Sequence, residues 1–382
     1  MADVHPGIEI EIGRRLRAAR KALGLRQSDL ADRVGISGSH LSDIERGALM
    51  PTIPTLRRLC DALGRPLEYA LVEPPEARAL GTVIYRMSIE ALSAQRFAEL
   101  VAEKTAQQVS IRIYHQAVPG EIYDQVRGLA DGSIHLLIDD LLSLEHYAPL
   151  CGVVFQPFFF NDAAHYHRFL ASPLFKTQVR DRLLGHGIRL LNPLTHHPAA
   201  SSELLFSTFP VFTPDDLRDR RWRTYASDVA IALRKRLGAV PVHTFWNDGA
   251  ERLRGGDIEA FLMPAHHHAS IDLHAAARYA TLLDYGYAPG LVIAINEHEY
   301  QKLSPDVQGV LAEAVEETEA HFCQAVEERA NAYIEDLPTQ HGVAVIRDNP
   351  AIWRSRFQEA LRDVCLIDGH LDASTYEELH AL

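Results

Sequence analysis

The chain has 382 residues, of which 47% are hydrophobic and 23% are charged, and its formal net charge is -13 at pH 7. Because a single hydrophobic core seldom grows beyond about 250–300 residues, this length predicts more than one domain. No apolar run reaches the ~18 residues of a membrane span, and the first twenty residues hold no signal-peptide core. These features argue against a membrane or exported protein, and we expect a multidomain protein of the cytoplasm.

Charge is divided unevenly along the chain. Between residues 12 and 66 there are eleven Lys and Arg residues against five Asp and Glu residues, a net charge of +6 that leaves -19 for the rest. A small basic module is therefore joined to a large acidic one. Only the basic module suits a polyanion such as DNA.

Residues 12–72 predict five short helices. In the first, IGRRLRAARKALGL, apolar residues recur at spacings of three and four, and Gly24 ends the stripe. The next two, RQSDLADRVG and SGSHLSDIERG, each close on a glycine suited to a C-terminal cap, and PTIPTLRRLCDALG and PLEYAL follow. Two short helices joined by VGIS are typical of a helix-turn-helix, whose second helix enters the major groove of DNA.

This segment resembles the lambda-repressor-like, or XRE-type, DNA-binding domain. The matching residues are Arg20, LGLRQSDLADRVGIS, and LSDIERG followed by Pro51 and LRRLCDALG. The resemblance implies an all-α, five-helix domain over residues 8–72 that binds a double-stranded operator. It also implies a structural ion pair between Arg20 and Glu45, and phosphate contacts by Arg26 and Gln27.

The recognition helix has a predicted outer face. Leu41 and Ile44 must turn toward the core, which turns the polar side of the helix outward. Asp43 brings a negative charge toward DNA, where it either accepts a hydrogen bond from a cytosine amine or limits nonspecific binding. The predicted DNA-binding residues are Arg26, Gln27, Ser37, Ser39, His40, Ser42 and Asp43.

A change of character follows the basic module. Residues 73–81, EPPEARALG, carry paired prolines and a late glycine, which predicts a linker. Beyond it, strand-like and helix-like segments alternate from TVIYRMSI to GLVIAINE, which predicts a parallel-rich α/β architecture. A long bracing helix is expected from Ser304 to Leu337, where Pro338 would end it, and residues 371–382 are expected to form a C-terminal tail.

The large module resembles the solute-binding proteins of tripartite ATP-independent periplasmic (TRAP) transporters. The resemblance rests on ordered anchors, among them IRIYHQAVPGEIYDQVRGLADGSIHLLI, QPFFFND, FPVFTPDDLRDRRWR, LRGGDIEAFLMP and DYGYAPGLVIAINEHEYQKLSPDVQGVL. It implies a two-lobed, type II periplasmic-binding-protein-like fold over residues 82–370. Such proteins close their lobes around a small organic acid, and the resemblance implies the same ligand class here.

One arginine stands out in this comparison. In the family, the stretch matching TPDDLRDRRWR ends in an arginine that binds the ligand carboxylate, and that position is Arg223. A guanidinium suits the role because its planar fork meets a carboxylate or sulfonate with two parallel hydrogen bonds. Strand alternation places Trp222 and Arg223 on opposite faces. Arg218, Arg220 and Arg221 are expected to be solvated charges.

Other residues of the matched segments are candidates for the same pocket. Glu203 is the one charge in SSELLFSTFP, where relatives often carry a second arginine, so it would either meet a cationic group of a zwitterionic ligand or point to solvent. Phe261 and Met263 are expected to form an apolar wall. The predicted ligand-binding residues are Arg223, Glu203, Asp139, Asp140, Trp246, Asn247, Phe261, Met263 and Tyr287.

The sequence offers three alternatives to this function. The four cysteines lie far apart and form no C-x-x-C pair. Adjacent histidines such as His266, His267 and His268 diverge on a helix or strand, so no metal site is expected. The chain lacks H-E-x-x-H, G-x-S-x-G and a Walker loop, so neither an enzyme nor a cofactor is expected, although an enzyme acting on a small organic acid is an alternative. A solute-binding module without a regulatory role is another.

The sequence therefore predicts a ligand-responsive transcriptional regulator. The helix-turn-helix would bind operator DNA, and an organic acid between the lobes would change that affinity. Because operators read by such domains are usually two-fold symmetric, a homodimer or higher homo-oligomer is expected.

Overall fold

The computed structural model divides the chain into two compact units, Met1–Arg78 and Ala79–Leu382. It describes residues 8–63, 78–84, 89–115, 122–191, 203–265, 267, 271–284, 290–347 and 349–382. The fifth helix predicted for the N-terminal module, at PLEYAL, lies outside the described residues. Each unit is described by itself below.

The first unit is helical over its described part. Its core consists of apolar residues at helical spacing, including Leu16, Leu30, Leu41 and Leu59, all fully buried. Ser37 caps the third helix by accepting a hydrogen bond from the His40 amide at 3.1 Å. The helices are α1 (Ile8–Ala22), α2 (Gln27–Val34), α3 (Gly38–Glu45) and α4 (Ile53–Ala62).

Helix α1 crosses the recognition helix at Gly13. A Cβ atom at this position would lie 2.2 Å from the carbonyl oxygen of Ile44, which is backbone and cannot rotate away. We expect Gly13→Ala to destabilise the first unit by about 1–3 kcal/mol, although alanine favours helix in open surroundings. Gly38→Ala is the matched control, because its Cβ would meet nothing within 4 Å. Hydrogen exchange of the full chain measures the stability of the first unit in both variants. Equal amide protection in the two variants would contradict the close approach of Gly13 to the Ile44 carbonyl.

The second unit contains two sheets. The five-stranded sheet, which we call the first lobe, has the order β2-β1-β3-β10-β4, and the six-stranded sheet, the second lobe, has the order β11-β9-β5-β8-β6-β7. The strands are β1 (Arg78–Ile84), β2 (Val109–His115), β3 (Leu136–Asp140), β4 (Ile188–Leu190), β5 (Glu203–Ser207), β6 (Arg221–Thr224), β7 (Val240–His243), β8 (Ala260–Pro264), β9 (Tyr279–Leu283), β10 (Leu291–Asn296) and β11 (Ala344–Arg347).

Helices cover the faces of both sheets. A five-residue π-helical segment, Lys176–Arg180, lies between two of the short ones. The helices are α5 (Ile89–Lys104), α6 (Ile122–Asp131), α7 (Leu150–Val154), α8 (Ala163–Ala171), α9 (Pro173–Phe175), α10 (Asp181–Gly185), α11 (Asp228–Arg236), α12 (Gly249–Gly255), α13 (Glu297–Gln301), α14 (Pro305–Thr339), α15 (Pro350–Leu366) and α16 (Ala373–Ala381).

The expected α/β architecture is confirmed, and both sheets are mixed: each combines parallel with antiparallel pairs, and three of the five pairs in the second lobe are parallel. Strand β3 is parallel to β1 but antiparallel to β10, and β5 is antiparallel to both β8 and β9. Strands β6, β7 and β8 are mutually parallel, which brings their carboxyl ends to one edge of the second lobe. This edge carries the candidate ligand site.

Helix α14 braces the second unit, as predicted. Ser304 caps it by accepting from the Val307 amide, and Lys104 of α5 forms ion pairs with Glu313 and Glu317 at 3.1 and 2.8 Å. The helix continues through Pro338 to Thr339, two residues further than expected. Pro338 lies in the last turn, one residue before the helix ends.

The ends of the second unit also differ from the predicted domain boundaries. Strand β1 begins at Arg78, so the last four residues of the predicted linker belong to the first lobe. Residues 371–382, expected as a tail, instead form α16, in which Leu379 is fully buried. The Leu379 carbonyl lies 3.1 Å from Nε2 of the buried His165, which fastens this helix to α8.

Candidate functional site

A buried polar cluster organises the helix-turn-helix. Arg20 donates to both carboxylate oxygens of Glu45, at 2.6 and 2.8 Å, and a third bond of 2.8 Å runs from Arg20 to the Leu25 carbonyl. Gln27 donates to the same carboxylate at 2.8 Å. The bonds to Glu45 raise the pKa of Arg20. The predicted Arg20–Glu45 pair is therefore present and joins α1 to the end of the recognition helix.

The predicted DNA-contacting residues differ in exposure. Arg26 and the residues at the start of α3, Ser37, Ser39 and His40, are exposed. Their positions leave them available to DNA, and their individual roles stay predictions. Gln27 is half-buried, and its side-chain amide donates a hydrogen bond to Glu45. A phosphate contact by Gln27 would therefore use the same side chain that binds the buried cluster.

Asp43 and Ser42 lie further along the recognition helix and are half-buried. Asp43 forms an ion pair with Arg46 one turn later. This pairing partly neutralises the negative charge that the sequence brings toward DNA. The two roles considered for Asp43, base contact and limitation of nonspecific binding, both stay open.

In the second unit, Arg223 lies near the carboxyl end of β6 and is 7% exposed. Its Nε donates to the Thr244 carbonyl at 3.1 Å, which fixes the plane of the guanidinium. Three aromatic rings surround it, with the central carbon 4.8 Å from the ring centre of Phe261, 5.5 Å from Trp246 and 5.6 Å from Tyr225. A cation held in this way has little water to lose when an anion arrives.

The sheet register shows which predicted residues share the Arg223 side of the second lobe. Phe261 lies on that face, and Met263, two residues on in β8, lies on it too; both are fully buried. Trp246 follows β7 and contacts the Phe261 ring edge-on at 5.4 Å. Phe261 and Trp246 therefore lie against Arg223, Met263 shares their face of the sheet, and their role as an apolar wall for a ligand stays a prediction. Trp222 packs on the opposite face against Phe357, as alternation predicted.

The register does not bring Glu203 to Arg223. Glu203 pairs with Pro264 of β8 and with Leu283 of β9, whereas Arg223 lies one residue beyond the Trp222–Ala260 pair. Counting alternate residues puts the Glu203 side chain on the Trp222 face of the sheet. The arrangement therefore gives no support to a zwitterionic ligand held between Glu203 and Arg223.

The remaining ligand candidates are divided between buried and exposed positions. Asp139 and Asp140 end β3 and are buried, at 3% and 9% exposure. Asn247 is exposed in a 3₁₀ turn after Trp246. Tyr287 lies outside the described residues.

The other arginines of the basic run lie on the surface, as expected. The side chains of Arg218, Arg220 and Arg221 are 60%, 45% and 49% exposed, and the last two pair with Glu259. Asp219 adopts a φ of 60° between them. This left-handed conformation favours glycine, and aspartate tolerates it better than most residues.

Sequence reasoning missed a polar cluster beside Arg223. Tyr225 lies between two buried arginines, Arg223 and Arg234, and burial raises the pKa of its hydroxyl. Arg234 donates to the Arg223 carbonyl at 3.0 Å, which supports strand β6 from behind. Gln156 approaches the Tyr225 hydroxyl at 3.5 Å, and Glu145 lies close by. No motif spacing marks these residues, although a lone glutamate in the apolar run LLSLEHYAPL was a usable signal.

Within the described ranges, no group of three His, Cys, Asp or Glu side chains could hold a metal ion. His267 is buried and contacts the Trp246 ring edge-on at 5.5 Å. His266 and His268 lie outside the described residues.

Comparison with known proteins identifies both parts of the chain. Residues 80–366 match the family described as bacterial extracellular solute-binding protein, family 7, and residues 11–70 match the helix-turn-helix domain family. The chain belongs to solute-binding protein family 7. In this member of the family, a helix-turn-helix domain precedes the solute-binding domain.

Relatives of this family 7 protein fall into two groups. The 2,3-diketo-L-gulonate-binding periplasmic protein YiaO of Escherichia coli (strain K12) is 25% identical over 270 residues, which cover 71% of this chain and 80% of that protein. The immunity repressor protein of Bacillus phage phi105 is 42% identical over 53 residues, 14% of this chain and 37% of that protein. The second match places the repressor likeness in the helix-turn-helix domain.

A solved structure shares the fold of the solute-binding domain. The TRAP periplasmic solute binding protein from Xanthobacter autotrophicus Py2, with bound β-D-galacturonate, aligns with a TM-score of 0.68 and 18% identity. The alignment covers 79% of this chain and 98% of that chain. The predicted combination of a helix-turn-helix with a TRAP solute-binding fold is therefore confirmed. Across the described ranges, no helix has both the length and the apolar character needed to cross a bilayer.

Proposed function

We propose that this protein is a transcriptional regulator that binds operator DNA through its helix-turn-helix and senses a small organic acid through its solute-binding domain. The observation that carries the proposal is the presence, in one chain, of a helix-turn-helix and a family 7 domain. The buried Arg223, which the resemblance assigns to the ligand acid, supports it. A protein that acts on operator DNA works in the cytoplasm, and a two-fold operator calls for a homodimer or a higher homo-oligomer.

The ligand class follows from the chemistry around Arg223. A buried guanidinium with one edge fixed on the Thr244 carbonyl favours a planar oxyanion, a carboxylate or a sulfonate. The aromatic rings around it, with Met263 on the same face of the sheet, favour an apolar side of the ligand next to the acid group. The named ligands of two similar proteins agree with the acid group, since one protein binds 2,3-diketo-L-gulonate and the other holds β-D-galacturonate, both sugar acids.

The mechanism we propose is thermodynamic linkage. The acid binds at Arg223 and favours closed lobes, and closure changes the spacing or freedom of the two recognition helices in the dimer. Operator affinity changes as a result. Operator binding must in turn change the affinity for the acid by the same factor.

The predicted base contacts and phosphate contacts of the helix-turn-helix can be tested separately. In the full chain, Ser39→Ala and Asp43→Ala are expected to alter which sequences are preferred, because these side chains lie on the recognition helix. Arg26→Ala is expected to weaken binding to all DNA sequences about equally. It should also reduce the salt dependence of binding by the amount that about one phosphate contact contributes. Selection from a random DNA library, followed by salt titrations, measures both. A uniform loss from Ser39→Ala and Asp43→Ala would overturn the assignment.

A further inference from the structure

A carboxylate bridges the two lobes next to the candidate ligand site. Glu145 follows β3 of the first lobe after a 3₁₀ turn, Leu141–Leu144. Ser227 follows β6 of the second lobe and caps α11. The Ser227 hydroxyl donates to Oε2 of Glu145 at 2.8 Å, so one hydrogen bond joins segments from the carboxyl ends of strands in different sheets.

A tyrosine makes the same bridge from the other side. The Tyr123 hydroxyl, on α6 of the first lobe, lies 2.7 Å from Oε1 of Glu145 and 2.7 Å from the Ala226 carbonyl of the second lobe. Both oxygens of Glu145 are therefore engaged by hydroxyl groups. Burial raises the pKa of the Glu145 carboxyl. The hydrogen bonds from the Tyr123 and Ser227 hydroxyl groups act in the opposite direction but do not cancel this increase.

The first lobe has a space shaped for this carboxylate. A Cβ atom at Gly152 would lie 2.3 Å from Oε2 of Glu145, so any larger residue at this position would displace the carboxylate. Gln156, one turn later, donates to the Gly152 carbonyl at 2.8 Å. Gly152 lies in α7, where glycine is otherwise an unfavourable choice. The space for Glu145 gives a physical reason for it.

The bridge is continuous with the ligand site. Ala226 and Ser227 follow Arg223 and Tyr225 in the chain, and the Tyr225 ring lies 5.6 Å from the Arg223 guanidinium carbon. Gln156 of the first lobe approaches the Tyr225 hydroxyl at 3.5 Å. A group bound at Arg223 therefore acts on the same short segment that the first lobe holds through Glu145.

We infer that Glu145, Tyr123 and Ser227 form an interlobe latch that sets the balance between open and closed lobes. The inference rests on the proposed function, because it assigns to these residues the control of closure at the Arg223 site. They are positioning residues, and the acid itself would contact Arg223. Loss of one latch bond is expected to shift the ratio of closed to open lobes by about tenfold, or about 1.4 kcal/mol.

The latch can be measured in the ligand-free full chain by pulsed electron paramagnetic resonance. Spin labels are placed on cysteines introduced at Arg127 in α6 and Asp215 in the second lobe, whose side chains are 70% and 68% exposed. The native Cys60, Cys151 and Cys365 are buried, and Cys323 is replaced with serine. The measured quantity is the distribution of distances between the lobes.

Three variants test the assignment. Tyr123→Phe removes one hydroxyl, and Gly152→Ala displaces the carboxylate, so both are expected to shift the distribution to longer distances. Tyr147→Phe is the matched control, because Tyr147 contacts the rings of His146 and His186 close to Glu145 but does not take part in the bridge. An unchanged distribution in Tyr123→Phe, or equal shifts in Tyr123→Phe and Tyr147→Phe, would overturn the latch.

This outcome is separate from the fate of the proposed function. If Tyr123→Phe opens the lobes while an acid that binds leaves DNA affinity unchanged, the latch stands and the regulatory role fails. If the distances do not move but the acid still alters DNA affinity, the regulatory role stands without the latch.

Discussion

Replacing Arg223 with alanine is expected to weaken binding of the acid by about 100-fold. Two charge-assisted hydrogen bonds to a carboxylate contribute roughly 1.5 kcal/mol or more each, and each 1.4 kcal/mol is a factor of ten in affinity. The cage of Tyr225, Trp246 and Phe261 would remain and would keep its shape against an apolar ligand. The loss should therefore fall on the acid group alone.

Calorimetry is the measurement, with the carboxylate that the wild-type chain binds best, chosen from a panel that includes D-galacturonate and 2,3-diketo-L-gulonate. Arg218→Ala is the matched control, since it removes an arginine of the same run whose side chain is 60% exposed. Arg223→Lys keeps the charge without the planar fork and should recover only part of the affinity. Equal affinities of Arg223→Ala and Arg218→Ala would contradict the site.

The second large effect concerns the stability of the helix-turn-helix. Glu45→Ala is expected to lower the free energy of unfolding of the first unit by about 3–5 kcal/mol, because it leaves the buried guanidinium of Arg20 without its carboxylate. Gln27 would lose the same acceptor. The recognition helix ends at Glu45, so the loss should also loosen the surface that faces DNA.

Asp43→Ala provides the comparison two positions away. The Asp43–Arg46 pair is exposed, with side chains 42% and 64% accessible, and such pairs contribute about 0–1 kcal/mol. Hydrogen exchange of the full chain, read from peptides of α1 to α4, gives the opening free energy of this unit in both variants. Similar values for Glu45→Ala and Asp43→Ala would show that the buried cluster does not hold the unit together.

Local sequence signals predicted the parts of the fold that depend on neighbours along the chain. The helix-turn-helix followed from glycine caps and apolar spacing, and the start of α14 followed from Ser304 and Pro305. The opposite faces of Trp222 and Arg223 followed from the two-residue period of a strand. These features depend on residues within one helical turn or one strand, so the local sequence is enough to predict them.

The failures concern pairing between distant segments. Strand direction in the two sheets depends on which segments meet, so the alternation of helix and strand did not predict the antiparallel pairs of β10 with β3 and of β5 with β8. Glu203 was grouped with Arg223 because it is the one charge in a segment where relatives often carry a second arginine. A shift of one residue in register moves a side chain to the other face, and the sequence alone does not determine that register. Glu145 was missed because its partners, Tyr123 and Ser227, lie far from it in the chain and only the fold brings them together.

The most direct test of the account measures operator affinity with and without the acid. DNA selected from a random library by the full chain is titrated with wild type and with Arg223→Ala, in the presence and absence of an acid shown by calorimetry to bind. We predict a change of at least about fivefold in the wild type, within the usual range of coupling between sites, and none in Arg223→Ala. An acid that binds at Arg223 yet leaves the DNA affinity of the wild type unchanged would contradict the account.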